Sequence, residues 1–190
     1  MAPRLVSLRP AIFLDRDGVL NDVVWRAGKP ASPRSVAELK LADGAVEAVA
    51  AFKAAGYLTF VVTNQPDVAR GKMSGQVLSD IHQTMAEVLP VDEIVACLHD
   101  NADLCDCRKP RPGMLLDLAR RWSVDLSQSW MIGDMDRDIA CGQAVGCSTV
   151  LIQRLYNGGP AAGADLIADD LTQAVALVFD AQTAARAVAF

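Results

Sequence analysis

The residues of this chain best suited to chemistry are carboxylates. In Phe13-Leu-Asp-Arg-Asp-Gly-Val-Leu-Asn21, Asp15 and Asp17 follow directly on the apolar run 11–14. In extended chain, side chains two residues apart leave the backbone on the same side. Carboxylates brought that close repel each other unless a cation lies between them or one keeps its proton. Magnesium meets that need, because it takes oxygen ligands and often only one or two carboxylates. A carboxylate at such a site can also act as a covalent nucleophile towards phosphorus. Taken alone, Asp-x-Asp is more often just a strand followed by a polar turn, so the matching parts decide. Thr63-Asn64, Lys109 and Asp134 (with Asp138 one turn later) follow in that order. A hydroxyl and an amide can bind the non-bridging oxygens of a phosphoryl group. A lysine can neutralise charge on nucleophile and phosphate, and a further carboxylate can complete a magnesium shell.

A second constellation is Cys97-Leu-His99 with Cys105-Asp-Cys107. Three thiolates and one imidazole fill a closed structural zinc site. The competing reading is a set of reduced, partly buried cysteines without metal. Cys141 and Cys147 flank a helix end and read as small apolar packing residues.

These groups need strands to carry them. The run 11–14 reads as a buried central strand, 57–63 as a second, 93–97 as a third, 129–132 as a fourth and 149–153 as a fifth, with 166–168 as an edge strand. Helices are expected at 45–55, capped by Asp43 and stopped by Gly56, and from Ser74 to 89. Others run from Pro112 to 122, over 136–145 up to Gly146, and over 171–188. The stretch 21–41 reads as an ordered loop over the strand ends, and 161–163 as a flexible turn. Alternation of this kind predicts an α/β fold, a three-layer, doubly wound parallel sheet of Rossmann-like type. Ligands of such sheets sit at the carboxyl ends of the strands, where each candidate residue falls.

At 190 residues the chain suits a single domain over 1–190 that buries about 70% of its unfolded surface. A net charge of -5 and a pI near 4.9 argue against a nucleic-acid or anionic-membrane surface. No apolar run approaches a membrane span, and the arginine-broken stretch 1–9 does not read as a leader. Clustered cysteines fit a reducing, cytoplasmic setting better than a disulfide scaffold.

Asp15-Arg-Asp-Gly-Val-Leu-Asn, Thr63-Asn-Gln, Cys107-Arg-Lys-Pro and Gly133-Asp134 together resemble the four motifs of the haloacid dehalogenase superfamily of phosphatases. The subgroup they are most similar to lacks a large cap domain and holds heptose bisphosphate and histidinol-phosphate phosphatases. That resemblance implies a magnesium-dependent phosphomonoesterase for a small sugar phosphate, foremost a heptose 1,7-bisphosphate, with histidinol phosphate as the alternative. It implies Asp15 as nucleophile and Asp17 as general acid, then base. Thr63 and Asn64 would bind the phosphoryl group, Lys109 would orient and neutralise, and Asn21 and Arg108 would contact the rest of the substrate. Magnesium would lie at Asp15, the Asp17 carbonyl and Asp134, and zinc in the loop 97–107. A monomer is expected, with no nucleic-acid or membrane partner. The pI disfavours a polynucleotide-end phosphatase. A receiver-type signalling domain carries its phosphorylated Asp after the third strand, and the intact acidic set argues against a non-catalytic phosphate-binding module. Two departures stand out: Pro66-Asp67 replaces the usual Ser-Gly, and Met135 replaces a basic residue after Gly-Asp.

Overall fold

The structure, a computed structural model, describes residues 7–157 and 163–188. Strand β1 (Ala11–Leu14) is buried along its whole length. It pairs in parallel with β4 (Leu58–Asn64) on one side and β6 (Trp130–Gly133) on the other. With β5 (Glu93–Cys97), β7 (Ser148–Ile152) and β8 (Leu166–Ala168) the sheet runs β5-β4-β1-β6-β7-β8, all parallel. The chain therefore builds outward on one side of β1 and then returns to build on the other. The crevice at that reversal is where such sheets hold ligands.

Side chains alternate across β1, so its two faces feed two cores. Ile12 and Leu14 pack with α1 (Ala45–Ala54), α2 (Gly75–Val88) and α5 (Leu171–Val188) through Phe52, Ile81 and Val178. Ala11 and Phe13 face α3 (Gly113–Trp122) and α4 (Asp136–Gln143) through Leu115, Leu118 and Cys141. Complete burial of Ile12, Phe13 and Leu14 stabilises by roughly 1.5–3 kcal/mol each, which anchors the strand that delivers Asp15.

Several expected boundaries move. Asp43 does not cap α1: Gly44 holds the cap position at φ 76°, with no side-chain hydrogen bond. Ser74 does cap α2, accepting from the Val77 amide at 3.2 Å. The stretch 21–41 holds an antiparallel hairpin, β2 (Val24–Arg26) with β3 (Lys29–Ala31), and a 3-10 turn at Val36–Glu38. Ala27 and Gly28 make its two-residue turn at φ 48° and 73°, the mirror-image geometry hairpins favour. Ala161 and Ala162, expected in a flexible turn, lie outside the described residues, as do residues 1–6 of the stretch read as no leader. Among the described residues no helix is long and apolar enough to cross a membrane.

Candidate active site

The carboxyl ends of β1, β4 and β6 bring the expected residues together. Asp15 continues the ladder of β1, its amide donating to the Ile132 carbonyl at 2.9 Å. Its Oδ1 accepts from the Arg16 amide at 2.7 Å and lies 2.9 Å from Lys109 Nζ. Oδ2 accepts no hydrogen bond from the described residues. Lys109 is buried, and its ammonium is surrounded by Asp15, by Asp138 Oδ1 at 2.6 Å and by the Val62 carbonyl at 2.7 Å. The Val62 carbonyl accepts one N–H, and the two ion pairs hold the charge between two carboxylates.

Asp134 ends β6 with its Oδ1 buried and unpartnered. Oxygens of Asp15, Asp134 and Asp138 lie within 4.8 Å of one another. Burial, together with the charges of Asp15 and Asp138, raises the Asp134 pKa to about 7. Burial likewise pushes Asp15 up, against the pull of Lys109. Three crowded carboxylates, with Asp134 Oδ1 and Asp15 Oδ2 bare and a single lysine among them, leave room and reason for a divalent cation; the donor set suits magnesium. Two glycines make the crowding possible. A Cβ on Gly133 would lie 2.2 Å from that of Asp138, and one on Gly18, at φ 86°, 2.3 Å from Asp134 Oδ2.

Asp138 joins the carboxylate group, which the Asp17 side chain does not. Asp138 also accepts from the Met135 amide at 3.0 Å, so the α4 N-terminus holds it in place. The Asp17 carboxylate is instead saturated by Arg16, Asn21, Ser32 and Gln65 at 2.8–3.1 Å. Burial alone would raise its pKa; Arg16, Ser32 and Asn21 outweigh that and hold it below the ordinary carboxylate range. Arg16 is itself buried and donates to His82 at 3.1 Å, which burial and the arginine keep neutral, its pKa lowered to about 4. Asn64 lines the cleft, and its Nδ2 donates to the Lys109 carbonyl at 3.0 Å while its Oδ1 accepts from the Lys109 amide at 3.1 Å. Asn21 is fully buried, and its Nδ2 donates to Asp17 Oδ1 and to the Asp22 carbonyl, which holds Asp17 in place. Thr63 accepts from Gln65 Nε2 at 2.9 Å, which leaves its own O–H free to donate.

A cleft of about 190 Å³ opens over Asp15, Asp17, Thr63 and Asp134. Arg137 lines both this cleft and a neighbouring cavity of about 500 Å³ whose wall includes Arg108, Lys109 and Arg111. Arg108 is tied back to Asn101 at 2.9 Å and to the His99 carbonyl at 3.3 Å. Arg137 is exposed and makes no hydrogen bond within the described residues. It is a residue the sequence reading missed, although it stands two residues beyond Met135, where a base was noted as absent. Asp67, the other departure, accepts from Arg34 Nε at 2.8 Å and ties the chain after the hairpin to the loop after β4. Another cavity, of about 700 Å³, is lined by Gly18, Trp25, Arg154 and Tyr156 and shares Tyr156 with the cleft.

Cys97, His99, Cys105 and Cys107 converge beside Lys109. Their sulfurs lie 3.1–3.7 Å apart, with His99 Nδ1 at 3.3 and 3.6 Å from Cys107 and Cys97. A tetrahedral zinc with bonds of about 2.3 Å separates its sulfurs by about 3.8 Å, so the set fits that ion. Burial and the two neighbouring thiols push Cys107 to about 12, which means a cation is needed before all three can ionise. No disulfide forms among the described residues.

Comparison with known proteins gives the same picture. Residues 106–174 match the HAD-hydrolase-like family. A D-glycero-β-D-manno-heptose-1,7-bisphosphate 7-phosphatase of Pseudomonas aeruginosa is 36% identical over 176 residues, 86% of this chain and 94% of that protein. One from Rhodopseudomonas palustris is 37% identical over 157 residues, covering 76% and 82%. A D,D-heptose 1,7-bisphosphate phosphatase from Bordetella bronchiseptica, solved with magnesium and phosphate, is 31% identical, with a TM-score of 0.77 over 90% of this chain and 98% of that one. A Mesorhizobium loti structure described as a HAD-like phosphatase follows at 27% identity and a TM-score of 0.72, covering 94% and 90%. On its sheet order, its motifs and these identities, the chain belongs to the haloacid dehalogenase-like hydrolases, in the family of the heptose bisphosphate phosphatases.

Proposed function

We propose that this chain is a magnesium-dependent phosphomonoesterase acting on D-glycero-β-D-manno-heptose 1,7-bisphosphate, from which it removes the 7-phosphate. The observation that carries the reading is the grouping of Lys109, Asp15, Asp138 and Asp134, in which Asp134 Oδ1 is buried and unpartnered. Asp15 and Asp134, with Asp138 beside them and Asp17 through its carbonyl, would hold magnesium, which when bound offsets the negative charge of phosphate and carboxylates.

An Asp15 oxygen attacks phosphorus, the ester P–O bond breaks, and the leaving sugar oxygen takes a proton from Asp17. Water then attacks the aspartyl-phosphate, giving its proton back to Asp17 and freeing phosphate. In the resting protein Arg16 favours the ionised Asp17, which is the form the second half needs. The incoming phosphate opposes Arg16 and raises the proton affinity that the first half requires. Thr63 donates its free hydroxyl to a phosphoryl oxygen, and Lys109 keeps Asp15 aligned.

A bisphosphate has a second anionic group to place, and the cavity flanked by Arg108, Arg111 and Arg137 supplies cationic walls for it. Histidinol phosphate, which carries an ammonium in that position, fits this wall less well. The same reading has residues 1–190 as one cytoplasmic, monomeric phosphatase domain with no nucleic-acid or membrane partner. A panel of phosphorylated metabolites, both heptose bisphosphate anomers and histidinol phosphate included, tests it. Release of the 7-phosphate from the β anomer should lead, and Asp15→Asn should show no measurable turnover, since uncatalysed phosphate-monoester hydrolysis needs acceleration approaching ~10²¹-fold. Preference for histidinol phosphate, or no turnover of any sugar bisphosphate, would sink the assignment.

A further inference from the structure

The segment after β7 carries no residue of the motifs, yet it grips Asp134 from two sides. Tyr156 Oη donates to Asp134 Oδ2 at 2.6 Å. Asn157 Nδ2 donates to the Asp134 carbonyl at 2.9 Å and to the Ile152 carbonyl at 3.1 Å, which fixes the strap to the end of β7. Arg154 Nε donates to the Gly18 carbonyl at 2.8 Å. The hydroxyl can reach Asp134 only because residue 18 lacks a side chain: a Cβ there would lie 2.1 Å from Tyr156 Oη. On its other side the Tyr156 ring meets Trp25 of the hairpin edge-on, with centroids 6.0 Å apart at 76°.

We infer that Tyr156 is a positioning residue for the metal carboxylate, fixing Asp134 so that Oδ1 alone faces the cation. The torsion at the end of an Asp side chain is soft and roughly two-fold, so an unrestrained carboxylate would sample orientations in which neither oxygen is well aimed. A hydrogen bond on Oδ2 selects one, and the buried, bare Oδ1 is the one left over. Trp25 limits the swing of the ring and so links the hairpin over the cleft to the metal ligand. The inference rests on the magnesium reading above, and its test separates the two.

The test is a titration of the metal-free full chain with manganese, followed by electron paramagnetic resonance without substrate. Compared are wild type, Tyr156→Phe, and a chain in which p-aminophenylalanine replaces Tyr156, which restores a donor without the phenol. Outer partners of metal ligands are typically worth ~10–100-fold in affinity, so Tyr156→Phe should weaken manganese by about that factor. The amino analogue should recover most of the loss. In phosphatase assays the magnesium needed for half-maximal rate should rise in Tyr156→Phe, with turnover at saturating magnesium largely kept. Equal manganese affinity in wild type and Tyr156→Phe overturns the inference. So does an equal weakening in both variants, because the ring's packing and not its hydrogen bond would then be responsible. Wild type that binds no manganese overturns the metal reading itself, and the inference with it.

Discussion

Asn64 shows how a residue's type can be read from sequence while the partners it meets cannot. An amide after Thr63 suits a phosphoryl oxygen, but here both of its polar atoms are spent on the backbone of Lys109, forty-five positions away in sequence. Its contribution to catalysis runs through that lysine. Asn64→Ala should therefore lower kcat by about 10²-fold, the scale of a misplacement near 1 Å, with KM little changed. A rise in KM with kcat intact would return Asn64 to the substrate. Asp17 invites a second test. With Asp17→Asn the acid for the first half and the base for the second are both lost, so a substrate whose leaving group needs little protonation should let phospho-Asp15 accumulate. Rapid quench measures it; wild-type turnover on alkyl phosphates would remove Asp17 from the chemistry. The types and order of Asp15, Thr63, Lys109 and Asp134 were legible in the sequence because three of them stand at strand ends and Lys109 lies in the loop that follows a strand. Asp138, Arg16, Tyr156 and Arg137 were not assigned roles, since what they do depends on contacts made only once the sheet has formed.

At the scale of elements, the long buried strands and capped helices were readable, and the short pieces were not. The hairpin at 24–31 lacks the Asn-Gly or Asp-Gly that announces a tight turn, and Trp25 opposite Pro30 gives no alternation of apolar and polar residues. Strand ends shifted by one residue for a related reason: pairing decides them, as where Asn64 lies opposite Cys97 and Gly133 opposite Leu151. The first of those pairs places the zinc ligands one strand away from the residue that clamps Lys109. Loss of zinc should then loosen 97–109 and misplace the lysine. In the Cys105→Ser, Cys107→Ser double mutant, each kcal/mol of zinc contribution lost should lower Tm by about 2–4 °C, with activity falling alongside. Elemental analysis of the freshly purified protein should find one zinc per chain. A zinc-free wild type, or a double mutant equal to it in melting and rate, would reduce the cluster to ordinary thiols.

Across the whole molecule, the sheet order gathers negative charge from distant parts of the chain onto one edge, and that gathering has a cost in the absence of metal. The Asp134 pKa is raised to about 7 in the folded state from the ordinary 3.8 of an aspartate, mainly through burial and then through Asp15 and Asp138. Between those two values Asp134 holds more of a proton in the folded, metal-free protein than in the unfolded chain, while His82, lowered to about 4, holds less below its ordinary 6.5. The Asp134 contribution to stability therefore falls as pH rises through that window, by at most about 1.4 kcal/mol per pH unit, and the lowered pKa of His82 offsets it below about 6.5. Magnesium has to displace the same proton, so its affinity should climb with pH over the window and level off above about 7. Lys109 does not cancel the effect, because its charge is already committed to Asp15 and Asp138. Thermal melts of the EDTA-treated protein from pH 4 to 8, with and without magnesium, should show two curves that diverge as pH rises. Relative to wild type, Asp134→Asn should remove this falling contribution from the metal-free curve, and the magnesium increment should shrink. Parallel curves in the wild type would mean that the carboxylates at this edge are not coupled to a cation at all.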